Sequence, residues 1–173
     1  MQGDLFGHKS HAEEWRTARA KFEEYLAEGK GEELAEGREC PCCRKTVILY
    51  DRTIIGLQAK WLIWLCRVTP EDGWTFVRDA GDYWGIGGAY ARLKHWGLIV
   101  QKPNLSDPRR SRNHSGVWRP TKRGREFALD EIRVSKHRFV YNGVLLHTSG
   151  PMISVHDALG EKFDFRDLWE RPI

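Results

Sequence analysis

The sequence has little of several features that mark large classes of proteins. Only four of its 173 residues are Cys, three of them within four positions, and this is not the disulfide framework of a small secreted protein. No apolar run reaches the roughly 18 residues of a membrane span. The N-terminus lacks the charged and then apolar pattern of a signal peptide. The sequence therefore predicts a cytoplasmic protein with no membrane partner.

The residues that mark an enzyme are also missing. No pair of carboxylates, activated nucleophile or open metal site stands out. Ser154, His156 and Asp157 have the right side chains for a nucleophilic triad, but near neighbours in a chain cannot easily line up with one another. We therefore expect no enzymatic activity and no cofactor, with zinc as the one open alternative.

The composition is that of a folded protein, with 40% hydrophobic residues and eight Trp. Such a chain can bury a real core. Its length suits one ordinary domain with additions. The pattern of elements predicts an α+β fold dominated by helices. We divide it into an N-terminal helix (1–39), a turn and strand (40–55), a central domain (56–131) and a C-terminal extension (132–173).

Positive charge is concentrated in one part of the chain. Residues 86–126 hold ten Lys or Arg against two acidic residues, a net of +8, whereas the whole chain carries +4. The rest is therefore acidic, at −4. A basic region in an acidic protein indicates a surface for a polyanion. A solvated loop with scattered charge is the alternative.

The N-terminal region predicts an amphipathic helix. Ser10 and Glu13 have the spacing of a capping box, in which both side chains satisfy free backbone donors. Apolar residues follow at helical spacing from Trp15 to Leu26. The charged face is strongly acidic, so we expect the helix to dock onto the main domain or a second copy rather than onto phosphate.

The Cys-Pro-Cys-Cys turn at residues 40–43 resembles half of a zinc ribbon, in which a tight turn aims Cys40 and Cys43 at one metal. Structural zinc needs four ligands, and the sequence has no second pair of this kind. The possible completions are Cys42, Cys66, the pair His8 and His11, or the same turn in another subunit. A reduced turn without metal is the interpretation that we favour.

The central domain begins with the most apolar run of the chain. Residues 56–68 predict a buried helix, and residues 74–77 predict a short strand. Residues 78–85 come next and predict a short helix that two glycines interrupt. We call this stretch the support segment. Residues 86–96 predict an amphipathic helix that ends at a left-handed Gly97. Its inward face is expected to hold Ile86, Ala89, Tyr90, Leu93 and Trp96.

A hairpin with a long loop follows. The predicted strands are 98–101 and 116–119, and the basic loop 102–115 connects them. Thr121 predicts the N-cap of a closing helix that runs to about residue 131. Lys122, Arg123 and Arg125 in its first turn oppose the helix dipole, and this local conflict suggests a role in binding.

Further elements are predicted before and after the central domain. Residues 46–50 are β-branched and apolar, which predicts a strand followed by a turn at Asp51 and Arg52. In the extension, Asn142-Gly143 predicts a hairpin, and Gly150-Pro151 predicts a turn. Ser154 predicts the cap of one helical turn that ends at Gly160.

The sequences Ala91-Arg-Leu-Lys-His-Trp-Gly-Leu-Ile99 and Trp118-Arg-Pro-Thr-Lys-Arg-Gly-Arg125 resemble two junctions of the winged helix-turn-helix domains of the MarR and PadR kind. The resemblance covers residues 57–131. It implies a recognition helix at 86–96 and a basic wing at 102–115. The whole chain also resembles small phage-encoded proteins, a similarity that implies no mechanism.

This resemblance implies binding to double-stranded DNA, with a role as a transcriptional regulator and a possible homodimer. Basic residues on the recognition helix would face the major groove, and those of the wing would contact phosphate or the minor groove. The residues expected to contact DNA are Arg92, Lys94, His95, Arg109, Arg110, Arg112, Asn113, Lys122 and Arg123. The alternative is a phage-type protein-interaction module that inhibits a host nucleic-acid enzyme or defence complex.

Overall fold

The computed structural model describes residues 20, 24, 38–39, 46–48, 50–84, 87–103, 116–141 and 144–172. Two compact units are formed, one by Met1–Asp51 with Phe139–His147 and the other by Arg52–Arg138 with Thr148–Ile173. Helices and antiparallel strands are both present, which confirms the α+β class. The described strands are β1 (Arg38–Glu39), β2 (Thr46–Val47), β3 (Tyr50–Thr53), β4 (Thr75–Phe76), β5 (Ile99–Gln101), β6 (Val117–Pro120), β7 (Val134–Tyr141) and β8 (Val144–Ile153). The described α-helices are α1 (Gly56–Val68), α2 (Lys122–Ala128), α3 (Val155–Leu159) and α4 (Phe165–Glu170), and 3-10 helices lie at Val77–Trp84, Gly87–Trp96 and Gly160–Lys162.

Helix α1 forms the core of the second unit because it is apolar on nearly every side. Trp61, Leu62 and Ile63 have no exposed surface, and α1 packs against α2, α3, α4 and the two 3-10 helices that precede β5. It ends at Thr69, whose backbone is extended, since the residue before a proline disfavours the helical conformation. The predicted core helix is confirmed.

A buried amide joins the start of α1 to the Gly87–Trp96 helix. Gln58 is only 1% exposed. Its Oε1 accepts a hydrogen bond from the backbone N–H of Ile55 at 3.1 Å, and its Nε2 donates to the carbonyl oxygen of Ala89 at 2.7 Å. A buried polar group is tolerated when it is satisfied in this way. Gln58 therefore holds the Gly87–Trp96 helix in a fixed position on α1.

The strands β4, β6 and β5 form an antiparallel sheet in that order, so the last of the three in the chain lies in the middle. Trp118 at the centre of β6 pairs with Thr75 on one side and Gln101 on the other. It is 3% exposed, so this row faces the core. The strands predicted at 74–77, 98–101 and 116–119 are confirmed within a residue or two at each end.

The Gly87–Trp96 segment is a 3-10 helix, so the predicted α-helix is wrong in type. Three residues per turn place Tyr90, Leu93 and Trp96 in one row, and Leu93 and Trp96 are 0% and 2% exposed. The inward face predicted for these residues is confirmed. The helix ends at Gly97, which has the predicted left-handed backbone with φ +69°.

The support segment is also a 3-10 helix, at Val77–Trp84. Val77 and Ala80 are 1% and 3% exposed, so their three-residue spacing buries one row against α1. The glycines of this segment were expected to interrupt an α-helix. The segment is instead a 3-10 helix, which has fewer residues per turn.

Helix α2 docks on the turn that joins the Gly87–Trp96 helix to β5. The Thr121 hydroxyl donates to the carbonyl oxygen of Gly97 at 2.6 Å and accepts from the N–H of Gly124 at 3.0 Å, which confirms the predicted N-cap. A Cβ added to Gly124 would overlap the carbonyl oxygen of Leu98 and lie 2.9 Å from its carbon. Glycine is thus required for this close approach.

A second sheet has the strand order β3, β7, β8. The hairpin predicted around residues 142–143 agrees with the pairing of β7 and β8. Two predicted turns are wrong, because Asp51-Arg52 lies within β3 and Gly150-Pro151 lies within β8. Both are edge strands, where charged residues and a proline without an N–H group are tolerated.

Helix α3 is short and capped as the sequence predicts, whereas no helix was predicted at α4, which Asp164 caps. Ser154 accepts from the N–H of Asp157, whose carboxylate accepts from the N–H of Ser154, and Gly160 ends α3 with φ +61°. No helix among the described residues is long and apolar enough to cross a membrane. In the N-terminal region Ala20 and Glu24 are helical, and the rest of the predicted amphipathic helix lies outside the described residues.

Candidate nucleic-acid interface

The 3-10 geometry exposes two predicted contact residues of the Gly87–Trp96 helix. With three residues per turn, the row of Tyr90, Leu93 and Trp96 faces the core. Two outer rows flank it, in which Ala89 and Ala91 still pack against the core. Arg92 lies on one outer row and Lys94 on the other, and both are exposed. The structure therefore presents these two cations on a helix whose opposite side is anchored to α1.

His95 lies among positive charges. It is half-buried, and burial lowers the pKa of its imidazole below the ordinary value, with further lowering by Lys94, Arg52 and Arg92. Arg52 reaches this group from β3, and the sequence gave no reason to place it there. The lowered pKa of His95 therefore reflects its burial first and the three neighbouring cations second.

The pKa of His95 predicts a pH dependence of stability. The folded chain binds a proton at His95 less readily than the unfolded chain, so stability from this residue is present above about pH 6.5 and falls as the pH decreases through that value. His95→Gln should lose this part of the dependence. Urea unfolding of both proteins between pH 7.5 and 5.5 measures it, and equal slopes of stability against pH would contradict the assignment.

The two predicted contacts on α2 differ in their surroundings. The Lys122 side chain is 92% exposed, with its ammonium 3.8 Å from the Glu126 carboxylate. Arg123 is also exposed, and its Cδ lies 3.8 Å from the position of a Cβ built on Gly97. Arg123 therefore stands beside the end of the Gly87–Trp96 helix, whereas Lys122 projects into solvent.

Arg138 on β7 reaches the same end of that helix. Its guanidinium carbon lies 6.0 Å from the centre of the Trp96 ring, within the range of a cation–π contact. The sequence analysis missed Arg138, because nothing in a strand of the C-terminal extension indicates which helix it will contact. We call Arg92, Lys94, Arg123 and Arg138 the cationic surface.

Arg125 has a structural role instead of the binding role that its place in the basic run suggests. Its guanidinium donates to the carbonyl oxygens of Cys66 at 3.0 Å, Thr69 at 2.8 Å and Pro70 at 3.0 Å. These carbonyls lie at and just beyond the end of α1, where helices leave acceptors unsatisfied. Arg125 is committed to this C-cap.

The predicted wing residues Arg109, Arg110, Arg112 and Asn113 lie outside the described residues. The base of the loop is described, and it carries two cations around one aromatic ring. Lys102 and Arg119 lie 5.9 Å and 4.6 Å from the centre of the Trp74 ring. The connection between β5 and β6 therefore begins and ends beside positive charge.

The proposed metal ligands Cys40 and Cys43 also fall outside the described residues, which include the flanking strands β1 and β2 with antiparallel pairing. Cys66 is 8% exposed, and burial raises the pKa of its thiol to about 12. Zinc binds the thiolate, so this environment makes Cys66 a poor completion and agrees with its predicted role in the core. Elsewhere in the described chain, no three His, Cys, Asp or Glu side chains are grouped as a metal site.

No protein-family model matches this chain, and it has no match among the curated proteins or the solved structures. The cationic surface and the order of the elements around it are thus the observations from which a function can be inferred.

Proposed function

We propose that residues 56–131 form a winged helix-turn-helix domain that binds double-stranded DNA, as a transcriptional regulator. The order of elements supports this proposal: α1, β4, two 3-10 helices, β5, a long basic loop, β6 and α2. The sheet order β4, β6, β5 also supports it, because it makes β5, the loop and β6 a hairpin whose tip is the basic loop. The second 3-10 helix stands in the place of a recognition helix.

The cationic surface is the observation that carries the proposal. Arg92, Lys94 and Arg123 are exposed, and among the described residues none of the three forms an ion pair with a carboxylate. Unpaired exposed cations around the end of one helix attract a polyanion. Nucleic acid releases its condensed counterions when such side chains replace them.

Each part of the surface has a distinct role in the proposed complex. Arg92 and Lys94 project from the 3-10 helix toward base edges in the major groove, where Arg92 can make a paired contact to guanine. Lys122 and Arg123 contact phosphate. The loop at 102–115 brings Arg109, Arg110, Arg112 and Asn113 to the backbone or the minor groove. The rigid contact of Gln58 with Ala89 keeps the helix in position.

The test is a titration of duplex DNA at several salt concentrations. The double variant Arg92→Gln with Lys94→Gln should bind about tenfold or more weakly than the wild type at low salt. The variant should also lose preference between duplex sequences, because base contacts carry the specificity, whereas a fall of about 1 in the slope of log K against log salt is expected for each lost phosphate contact, such as that of Arg123. The matched control removes two exposed cations from the last helix, by Arg166→Gln with Arg171→Gln. Equal effects of the two double variants would overturn the proposal, as would failure of the wild type to bind at about 50 mM salt.

A protein-interaction module is the second candidate, and one observation favours it. Phe76 and Val100 are 54% and 38% exposed on β4 and β5, and exposed apolar side chains can mark a binding surface. However, Trp61, Trp64, Trp96 and Trp118 are all 3% exposed or less, so these tryptophans are core residues. Capture of a partner that survives nuclease and high salt would favour this candidate over DNA binding.

A further inference from the structure

Two arginines from separate parts of the chain meet at the end of the Gly87–Trp96 helix. Arg123 lies in the first turn of α2, beside Gly97. Arg138 lies on β7, over the Trp96 ring. The Trp96 Nε1 donates to the carbonyl oxygen of Ser135 at 2.7 Å, so β7 is tied to this helix. The position of Arg138 is therefore set by the fold.

Within the described residues, the charges of this pair are not balanced by acidic side chains. No carboxylate in the described part of the chain forms an ion pair with either guanidinium. The Nε of Arg138 is buried and has no hydrogen-bond partner among the described residues, and an unsatisfied buried donor destabilises the fold, more so when it is charged. Burial lowers the pKa of Arg138, and the nearby charge of Arg123 lowers it further. An anion bound between the exposed ends of the two guanidinium groups would relieve this repulsion.

We propose that Arg123 and Arg138 together bind one phosphate group of the nucleic-acid backbone. This inference rests on the proposed function. It extends the proposed DNA contacts to the C-terminal hairpin, where no contact residue was predicted. Guanidinium groups suit phosphate because their planar N–H donors match its oxygens in pairs. Arg138 is the fixed member, held over Trp96, and exposed Arg123 closes on the phosphate from α2. The contact positions the recognition segment and carries no base specificity.

The variants Arg123→Gln and Arg138→Gln test the pair in the duplex titration. Each should weaken binding about fivefold at low salt and lower the salt slope by about 1, equally for unrelated duplex sequences. Arg138→Lys keeps the charge and should keep most of the slope. The matched control is Arg133→Gln, which removes an exposed cation from the residue before β7. If the wild type binds duplex while all three Gln variants bind with one affinity and slope, the pair is overturned and the proposed function stands.

A second measurement tests the pair without DNA. Inorganic phosphate at constant ionic strength should raise the melting temperature of the wild type and of Arg133→Gln, because a ligand bound only to the folded state stabilises it. The rise should be absent in Arg138→Gln and Arg123→Gln. Failure of the wild type to bind duplex DNA would overturn the DNA proposal. Equal rises of the melting temperature with phosphate in all four proteins would overturn the arginine pair. Arg138→Lys replaces Arg138→Gln in this measurement, with a smaller shift expected, if the neutral variant does not fold.

Discussion

Gly124→Ala is expected to lower the free energy of unfolding by about 3 kcal/mol, the cost of forcing extra atoms into a packed site. The added Cβ would overlap the carbonyl oxygen of Leu98, and it is backbone, not a flexible side chain, that would have to move. The sign is informative, because alanine in place of glycine normally favours a helix by about 1 kcal/mol. Urea unfolding of the variant and the wild type measures the loss.

Gly88→Ala is the matched control for this prediction. Nothing lies within 4 Å of a Cβ built on Gly88, and its backbone is helical, so this change should be neutral or slightly stabilising. A loss of stability at Gly88 as large as that at Gly124 would show that the general cost of replacing glycine, and not the contact with Leu98, sets the result. An unchanged stability of Gly124→Ala would contradict the close approach itself.

The contact of Gly124 with Leu98 also determines where the cationic surface lies. Thr121 is bonded to Gly97 from the same turn, so α2 is fixed against the end of the Gly87–Trp96 helix by two neighbouring backbone groups. Arg123 lies between these contacts along the chain and is thereby placed beside Gly97. If Gly124→Ala shifts α2, the variant should lose part of any duplex affinity even under conditions where it remains folded.

Local signals in the sequence were sufficient to predict where several helices begin or end. Thr121, Ser154 and Gly97 act through neighbours three residues away or less, and each behaves in the structure as its residue type predicts. The core row of Tyr90, Leu93 and Trp96 could also be predicted, because hydrophobic spacing is visible in the sequence. The type of that helix could not, since a three-residue spacing fits one face of an α-helix as well as one row of a 3-10 helix.

The parts of the candidate site that depend on tertiary contacts could not be predicted. Arg125 and Arg123 are two residues apart in the same basic run, yet one is committed to the end of α1 and the other faces outward. Arg52 lies in a strand before the central domain in the sequence, and Arg138 lies in a strand after it. Counting positive charges selected this region of the sequence but could not separate Arg125, which is bonded to the end of α1, from the cations that face outward.

Arg125→Met is expected to cost about 2–3 kcal/mol of stability, within the range for a hydrogen-bonded charged group. The guanidinium satisfies three carbonyl oxygens, and Thr69, which provides one of them, is 3% exposed. Methionine retains much of the side-chain volume and removes every donor, so the measured loss reports the hydrogen bonds more than packing. Urea unfolding monitored by tryptophan fluorescence measures the change.

Lys122→Met is the control, because it removes a positive charge from the same helix at a side chain that is 92% exposed. Its effect should stay within about 0.5 kcal/mol. The two variants should also differ in the duplex titration at a temperature where both are folded. Lys122→Met should lower the salt slope, because it loses a phosphate contact, whereas Arg125→Met should keep the salt slope of the wild type. The reverse pattern, a stable Arg125→Met with a reduced slope, would mean that this guanidinium leaves the end of α1 to bind DNA.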